Sequence, residues 1–146
     1  MNETMRRIIS PHVQEPPAGL WSNCRAFGSQ VYIAGLVALH DGKIIGEDDP
    51  FAQAMHIFQS MQHYLTAAGG VMNDIINLNV FVTDMRHRPA VLEARRRFFS
   101  GDFPCSTLVG VSALIDPRLL VEINAVAFVG AGARPAHTTE SKQGKT

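Results

Sequence analysis

The stretch DDPFAQAMHIFQSMQHYLTAAGGVMNDIINLNVFVTD, residues 48–84, carries the clearest structural pattern in the sequence. A helix is predicted to begin at Asp49, because its carboxylate can accept free backbone N–H groups and Pro50 suits the first helical position. Apolar residues then recur at spacings of three and four until Gly69 and Gly70 end the pattern. These apolar residues are Ala54, Ile57, Phe58, Met61 and Leu65. The polar side of this amphipathic helix is expected to carry most of Gln53, His56, Ser60 and His63.

The end of the same stretch predicts a β-strand. Residues 76–82 alternate between an apolar set, Ile76, Leu78, Val80 and Val82, and the intervening Asn77, Asn79 and Phe81. A period of two is typical of a strand with one buried face. A helix, a glycine pair and a strand therefore follow one another in the middle of the chain.

Elements on either side of this block complete an α+β fold. They are a strand at 6–10, a β-hairpin at 22–36 with its turn at 28–30, a turn at 40–43, a helix at 89–100 and strands at 105–112 and 119–129. The order is three strands, a helix, a strand, a helix and two strands. We expect both helices on one face of a single sheet.

The chain length of 146 residues favours one domain. We expect this domain at residues 1–130, followed by a disordered tail at 131–146, where the sequence is small and polar. Two helices cover only one face of the sheet, and the other face includes the apolar side chains of Val126 and Phe128. We therefore expect self-association through this face.

Composition narrows the class of protein. The formal net charge is zero, so nucleic acid is a poor partner for the chain. Cys24 and Cys105 are far apart in the sequence and are expected to be free thiols, and no CxxC or HExxH spacing predicts a metal site. No run of eighteen apolar residues or secretory leader is present, so we expect no membrane partner and a cytoplasmic location.

Three stretches of the sequence resemble those of one known family. The block at residues 48–84 resembles the helix and following strand of the RidA family, also called YjgF or endoribonuclease L-PSP. ARRRFFSGDFPCSTLVGV, residues 94–111, and LLVEINAVAFV, residues 119–129, are similar to its last helix and two closing strands. The resemblance implies a chorismate-mutase-like α+β fold, a homotrimer, and small-molecule sites in the clefts between subunits. It further implies hydrolysis of enamines or imines with release of ammonia, and no cofactor.

The resemblance also indicates which residues line the site. The family's carboxylate-binding arginine follows a proline by two positions, and here Ser106 stands at that place after Pro104. A neutral hydroxyl cannot replace a bidentate guanidinium, so the candidates to replace it from a neighbouring subunit are Arg118, in the following turn, and Arg25. The family cysteine two residues further on is Leu108 here, with Cys105 three positions earlier.

Further site positions depart from the family pattern, and one is retained. Trp21 stands where an aromatic hydroxyl is common, Ala34 replaces a serine beside the kept Gly35, and Leu92 replaces a helix asparagine. The retained residue is Glu122 in VEIN, and the resemblance implies that it positions or activates the attacking water. Without the resemblance, a solvated strand glutamate is the simpler interpretation of Glu122.

The polar residues at the start of FPCSTLVGV, residues 103–111, allow two interpretations. Cys105, Ser106 and Thr107 are nucleophile-capable, but a nucleophile needs a base at hydrogen-bonding distance, and no neighbouring residue in the sequence supplies one. They are expected to begin a strand, and Ser106 and Thr107 could donate hydrogen bonds to a ligand oxygen. His56 and His63 are expected to be solvated rather than metal ligands, and Arg95, Arg96 and Arg97 to form a solvated helix face.

Three functions remain open at this point. The first is enamine or imine hydrolysis in an intersubunit cleft, with Glu122 as the catalytic group. The second is a binding or regulatory trimer without catalysis. The third, endoribonuclease activity, rests on the family's alternative name and is disfavoured by the neutral charge. Ser106 would suit a less acidic or larger ligand than an imino acid.

Overall fold

The computed structural model describes residues 4–132, which form eight strands and two α-helices. The strands are β1 (Arg6–Arg7), β2 (Cys24–Phe27), β3 (Gln30–Leu36), β4 (Leu39–His40), β5 (Lys43–Ile44), β6 (Ile75–Val82), β7 (Cys105–Gly110) and β8 (Val121–Phe128). The helices are α1 (Pro50–Ala67) and α2 (Arg88–Arg96), and short 3₁₀ turns lie at Met72–Asp74 and Met85–His87. The predicted tail at 131–146 lies outside the described residues apart from its first two positions.

Six of the strands form one mixed sheet in the order β1, β2, β3, β8, β6, β7. Strands β6 and β7 are parallel, and the other neighbours in this sheet are antiparallel. Side chains on one face, including Leu78, Val80 and Ile123, are fully buried in the same core as Ile57 and Phe58 of α1. The predicted α+β architecture, with two helices on one sheet face, is confirmed.

Helix α1 begins as the sequence predicts. The Asp49 carboxylate accepts a hydrogen bond from the Ala52 backbone N–H at 3.0 Å, and Pro50 occupies the first turn. The helix ends before Gly69, whose φ of +85° is a conformation that glycine adopts without strain. This helix therefore has both of the end signals visible in the sequence.

The polar side of α1 is less exposed than predicted. Gln53 has no exposed surface, and its side-chain amide donates to the backbone carbonyls of Gly46 and Arg118 at 3.1 and 3.0 Å. Its carbonyl oxygen accepts from the Leu120 N–H at 2.8 Å. Gln53 therefore ties two loops to the helix, and Ser60 is also buried. A single-sequence pattern cannot show this, because the covering loops come from elsewhere in the chain.

Several other element boundaries differ from the sequence prediction. The strand predicted at 6–10 is only β1 (Arg6–Arg7), and the strands predicted at 105–112 and 119–129 are the shorter β7 (Cys105–Gly110) and β8 (Val121–Phe128). Helix α2 ends at Arg96 rather than at residue 100, and Phe99 is buried instead, edge-on to Phe58 at 5.9 Å between ring centroids. Core packing of this aromatic ring thus replaces the last helical turn. The predicted turn at 40–43 is flanked by the two-residue strands β4 and β5, which pair only with each other.

The second face of the sheet carries no helix. Along β8 the fully buried residues alternate with a half-buried set, Glu122, Asn124, Val126 and Phe128, which point to this open face. Tyr32, which pairs with Val126 across β3 and β8, is 52% exposed. The predicted open apolar face, with Val126 and Phe128 on it, is therefore present in the single chain.

The two cysteines are free thiols. Cys105 is exposed on β7, whereas Cys24 is buried in β2, where desolvation raises the pKa of its thiol to about 12. Cys24 is therefore a packing residue rather than a nucleophile. Neither helix between residues 4 and 132 has the length and apolar character needed to cross a membrane.

Candidate active site in two half-sites

The nine residues that the sequence predicts as site residues lie in two separate groups. Trp21, Ala34, Gly35 and Glu122 form what we call the β3–β8 group, and Leu92, Cys105, Ser106, Thr107 and Leu108 form the α2–β7 group. In the sheet, β8 and β6 lie between β3 and β7. Three strand spacings, about 14 Å, separate Ala34 and Gly35 from β7, and two spacings, about 10 Å, separate Glu122 from it, so the two groups are not in contact within one chain.

An irregularity in β3 shapes the first group. The pairing of β3 with β8 shifts in register between Ile33 and Leu36, and the Ala34 N–H donates instead to the Asn23 carbonyl at 2.8 Å. This shift places Gly35 against the side chain of Glu122. A Cβ atom on residue 35 would lie 2.7 Å from Glu122 Oε2, which is closer than real Cβ contacts. Only glycine leaves the carboxylate in its observed position.

The Glu122 carboxylate is half-buried. Desolvation by burial raises its pKa above the ordinary glutamate value. Among residues 4–132, no side chain or backbone N–H donates a hydrogen bond to it, and no cation pairs with it. A carboxylate with a raised pKa and unoccupied acceptor sites is suited to taking a proton from a water molecule.

Trp21 lines a cleft of about 200 Å³ beside this group. The indole is 52% exposed and donates from Nε1 to Asn23 Oδ1 at 3.0 Å, so its ring is held as an apolar wall. Gly35 lines this cleft, whereas Glu122, which lies against Gly35, does not. The other lining residues include Glu15, His40, His56 and Ser60.

His56 is a cleft residue that the sequence pattern placed among solvated helix histidines. Burial lowers the pKa of its imidazole, with a smaller contribution from the positive charge of His40. His63 instead stacks on the ring of His12, with 4.5 Å between centroids. Within the described range, no group of three or more His, Cys, Asp or Glu side chains is arranged to hold a metal ion.

Tyr64 fixes the wall of the same cleft. Its ring is fully buried, and its hydroxyl donates to Glu15 Oε2 and accepts from Asn23 Nδ2. Burial and the hydrogen bond to Glu15 raise the pKa of the Tyr64 phenol. Tyr64 therefore stays protonated and anchors both Glu15 and the Asn23 that orients Trp21.

Strand β7 divides the second group between the two faces of the sheet. Ser106 and Leu108 are opposite Leu78 and Val80 of β6, so they point toward the helices. Cys105 and Thr107 are opposite Asn77 and Asn79 and point to the open face. Ser106 and Glu122 therefore lie on opposite faces of the sheet, and Cys105, Ser106 and Thr107 cannot act as one nucleophile cluster.

Arg95 is the functional candidate that sequence reasoning missed. Its Nη1 donates to Ser106 Oγ at 2.7 Å, across from α2 to β7. The two arginines suggested by the sequence are elsewhere: Arg118 is paired with Asp116 at 2.9 Å, and Arg25 is exposed on β2. One feature of the sequence could have indicated Arg95. Arg88, Leu92 and Arg95 are spaced four and three residues apart, so both arginines lie on the same side of α2 as Leu92, which was already a predicted site residue.

The geometry defines an α+β domain whose predicted ligand groups are split between the centre of one sheet and its β7 edge. The sequence profile of the endoribonuclease L-PSP family matches residues 12–129, which is most of the chain. The chain therefore belongs to this family, as the resemblance predicted.

Solved structures similar to this chain agree with that assignment. A protein of unknown function from Pseudomonas aeruginosa is 34% identical, with a TM-score of 0.82 over 91% of this chain and 98% of the other. A member of the YjgF/YER057c/UK114 family from Mycobacterium tuberculosis is 28% identical, with a TM-score of 0.72 over 86% of this chain and 100% of the other. RidA from an Antarctic Psychrobacter species is 26% identical, with a TM-score of 0.72 over 85% and 99%.

Proposed function

We propose that the chain assembles as a homotrimer and hydrolyses a small imine or enamine in clefts between its subunits, releasing ammonia. The main support for this proposal is the environment of the Glu122 carboxylate. This group is half-buried against Gly35, has a raised pKa, and accepts no hydrogen bond from residues 4–132. The similarity to RidA of the Psychrobacter species adds support for this class of function.

The division of the site supports assembly. Glu122 and Ser106 point to opposite faces of one sheet and belong to strands separated by β6. A ligand that contacts both residues therefore needs the β3–β8 group of one subunit and the α2–β7 group of another. The open face, with its half-buried Val126 and Phe128, offers an apolar surface for this contact.

The reaction assigned to Glu122 is water addition. Glu122 accepts a proton from water as the water oxygen bonds to the imine carbon. The C=N π electrons move to the nitrogen, which takes up this proton from Glu122 to give a carbinolamine. The hydroxyl proton of the carbinolamine then passes to its amine as the C=O bond forms, and the carbon–nitrogen bond breaks with its electron pair leaving on ammonia, so that imine and water give a carbonyl compound and ammonia. An enamine enters the same sequence after protonation at carbon gives the imine. Placement of a general base of this kind contributes about 10²- to 10⁴-fold in rate.

Ammonia release from 2-aminoacrylate generated in solution tests this function. The wild-type protein is expected to accelerate release over buffer, and Glu122→Gln to lose most of that acceleration. Glu47→Gln is the matched control, because Glu47 is exposed and lies outside both half-sites. Wild-type protein that does not exceed the buffer rate would contradict the enzymatic proposal, and full activity in Glu122→Gln would contradict the role of Glu122.

A binding protein without catalysis is the second candidate. It is favoured by three apolar or neutral residues, Leu92, Ser106 and Leu108, at positions where the family carries polar or charged side chains. The same assay separates the candidates, because a binding trimer leaves the rate of ammonia release at the buffer value. Endoribonuclease activity is not favoured, because a net charge of zero gives little attraction for a phosphate backbone.

A further inference from the structure

The run of three arginines at the end of α2, Arg95–Arg97, contains two kinds of side chain. Arg96 and Arg97 both pair with Glu93, at 2.9 and 3.7 Å, and Arg97 also lies over the ring of Phe51. Arg95 differs, because no carboxylate between residues 4 and 132 pairs with it. Its only hydrogen-bond partner in this range is the neutral hydroxyl of Ser106.

The position of Arg95 follows from the packing of α2. Val91 and Ala94 are fully buried on the core side of the helix, and Arg95 reaches Ser106 of β7 from the neighbouring side. Arg95 is therefore partly buried, and desolvation and the nearby positive charges of Arg88 and Arg96 lower the pKa of its guanidinium. An arginine remains charged under these conditions. The edge formed by α2 and β7 thus holds a cation that lacks a counter-charge.

Ser106 leaves the donors of this cation available. A guanidinium has five N–H donors, and one of them is used on Ser106 Oγ. The serine oxygen accepts that bond, so its own O–H remains a donor. Arg95 and Ser106 together therefore present several donors at one exposed edge, which is the arrangement that an oxyanion requires.

We propose that Arg95, oriented by Ser106, binds the carboxylate of the ligand and takes the place of the arginine missing from position 106. This inference rests on the proposed function for the location of the cleft, and it assigns to Arg95 the contact with the ligand carboxylate that the resemblance implies for the family's arginine. The expectation of a less acidic ligand, drawn from Ser106 alone, is replaced by this one. Arg95 is a binding residue in this scheme, and Glu122 remains the proton acceptor.

Binding of 2-oxobutanoate tests the inference without any reaction. This probe has the carboxylate and the carbonyl carbon of a hydrolysis product, and it cannot be hydrolysed further. Calorimetric titration of the full chain is expected to show binding, and Arg95→Gln to weaken it about 10- to 100-fold, because a charge-assisted hydrogen bond is lost. Arg96→Gln is the matched control and is expected to change the affinity less than about 2-fold, since Glu93 already neutralises Arg96.

A charge swap distinguishes a direct contact from a structural effect. Arg95→Gln combined with Ser106→Arg moves the cation from the helix to the strand, and is expected to recover binding to within about 5-fold of the wild-type affinity. Thermal unfolding of each variant confirms that the fold is retained. Equal affinity in wild type and Arg95→Gln, no recovery in the double variant, or no binding of 2-oxobutanoate by the wild type would each overturn the inference.

The outcome is separable from that of the proposed reaction. Glu122→Gln is expected to bind 2-oxobutanoate while losing ammonia release, because it keeps Arg95 and Ser106. Arg95-dependent binding in a wild-type protein that releases no ammonia would support the anion site and contradict hydrolysis. Ammonia release that is unaffected by Arg95→Gln, with no binding of the probe, would contradict the anion site alone.

Discussion

The two faces of the main sheet are built from alternate residues of the same strands, and they differ in almost every physical property. On the helix side, Leu78, Val80 and Ile123 have no exposed surface. On the open side, neighbours in the same strands are half-buried, and Asn79 donates to Asn124 Oδ1 at 2.9 Å. The helix side is closed by the chain itself, whereas the open side mixes apolar and polar groups at one surface.

This difference separates the requirements of folding from those of function. The helix side needs only apolar volume and close packing, which one chain supplies. The open side carries Glu122, and its polar groups would be costly to bury without partners. The residues of the proposed chemistry therefore lie where the single chain is least complete, at the open face and at the α2–β7 edge.

The largest effect is expected from the helix side. Ile123→Ala removes a fully buried side chain from β8 and is expected to lower the free energy of unfolding by about 2 to 5 kcal/mol, from lost burial and the cavity that remains. Urea denaturation measures the loss. The matched change Ile76→Ala, at a residue 52% exposed in β6, is expected to cost less than about 1 kcal/mol. Similar losses of unfolding free energy at the two isoleucines would contradict the proposed difference between the two faces.

An intermediate effect is expected on the open side. Val126→Asp places a charge among the apolar residues of the open face while leaving the helix side intact, so the subunit is expected to fold and the proposed trimer to dissociate. Light scattering after size exclusion measures the mass. Gln62→Asp adds the same charge on the exposed side of α1 and is expected to remain trimeric. A Val126→Asp protein with unchanged mass would show that the open face is not the contact surface.

The smallest effect concerns the pH dependence of Glu122. Its raised pKa means that the carboxylate form needed as a base is lost at a higher pH than for an ordinary glutamate. Activity is therefore expected to fall as the pH drops through this raised pKa, and the acidic limb of kcat/KM should lie above the ordinary glutamate range near 4.3. The residual rate of Glu122→Gln should lack this limb. An acidic limb at the ordinary value would argue against a desolvated base.

Much of the fold follows from local sequence signals. The capping of α1 by Asp49, its end at Gly69 and the alternation along β8 are all visible in the sequence, because each depends on residues close in the chain. The burial of Gln53 was not predictable, since it results from loops that begin at residues 46 and 118. The early end of α2 is similar, because the buried Phe99 packs against Phe58, which is far away in sequence.

The site was predictable only in part. The resemblance indicated Glu122 and Gly35, and their contact across β3 and β8 was not readable from either segment alone. Ser106 was identified as the position of a missing cation, but the sequence could not say which of several arginines would reach it. That answer depends on the tertiary position of α2, from which Arg95 reaches Ser106 of β7. The tertiary structure therefore determines that the α2–β7 group includes a positively charged side chain, Arg95.

The edge position of β7 has a consequence for newly made chains. Its inner side pairs with β6, and its outer side meets no other strand among residues 4–132, so a free subunit offers an unpaired backbone edge. Such edges template pairing with other chains and promote aggregation. Cys105, Ser106 and Thr107 make this edge polar, which reduces that hazard. If the proposed assembly forms, a subunit that has not yet met its partners is exposed to misassembly, and the cellular yield of the protein should depend on how quickly the subunits meet.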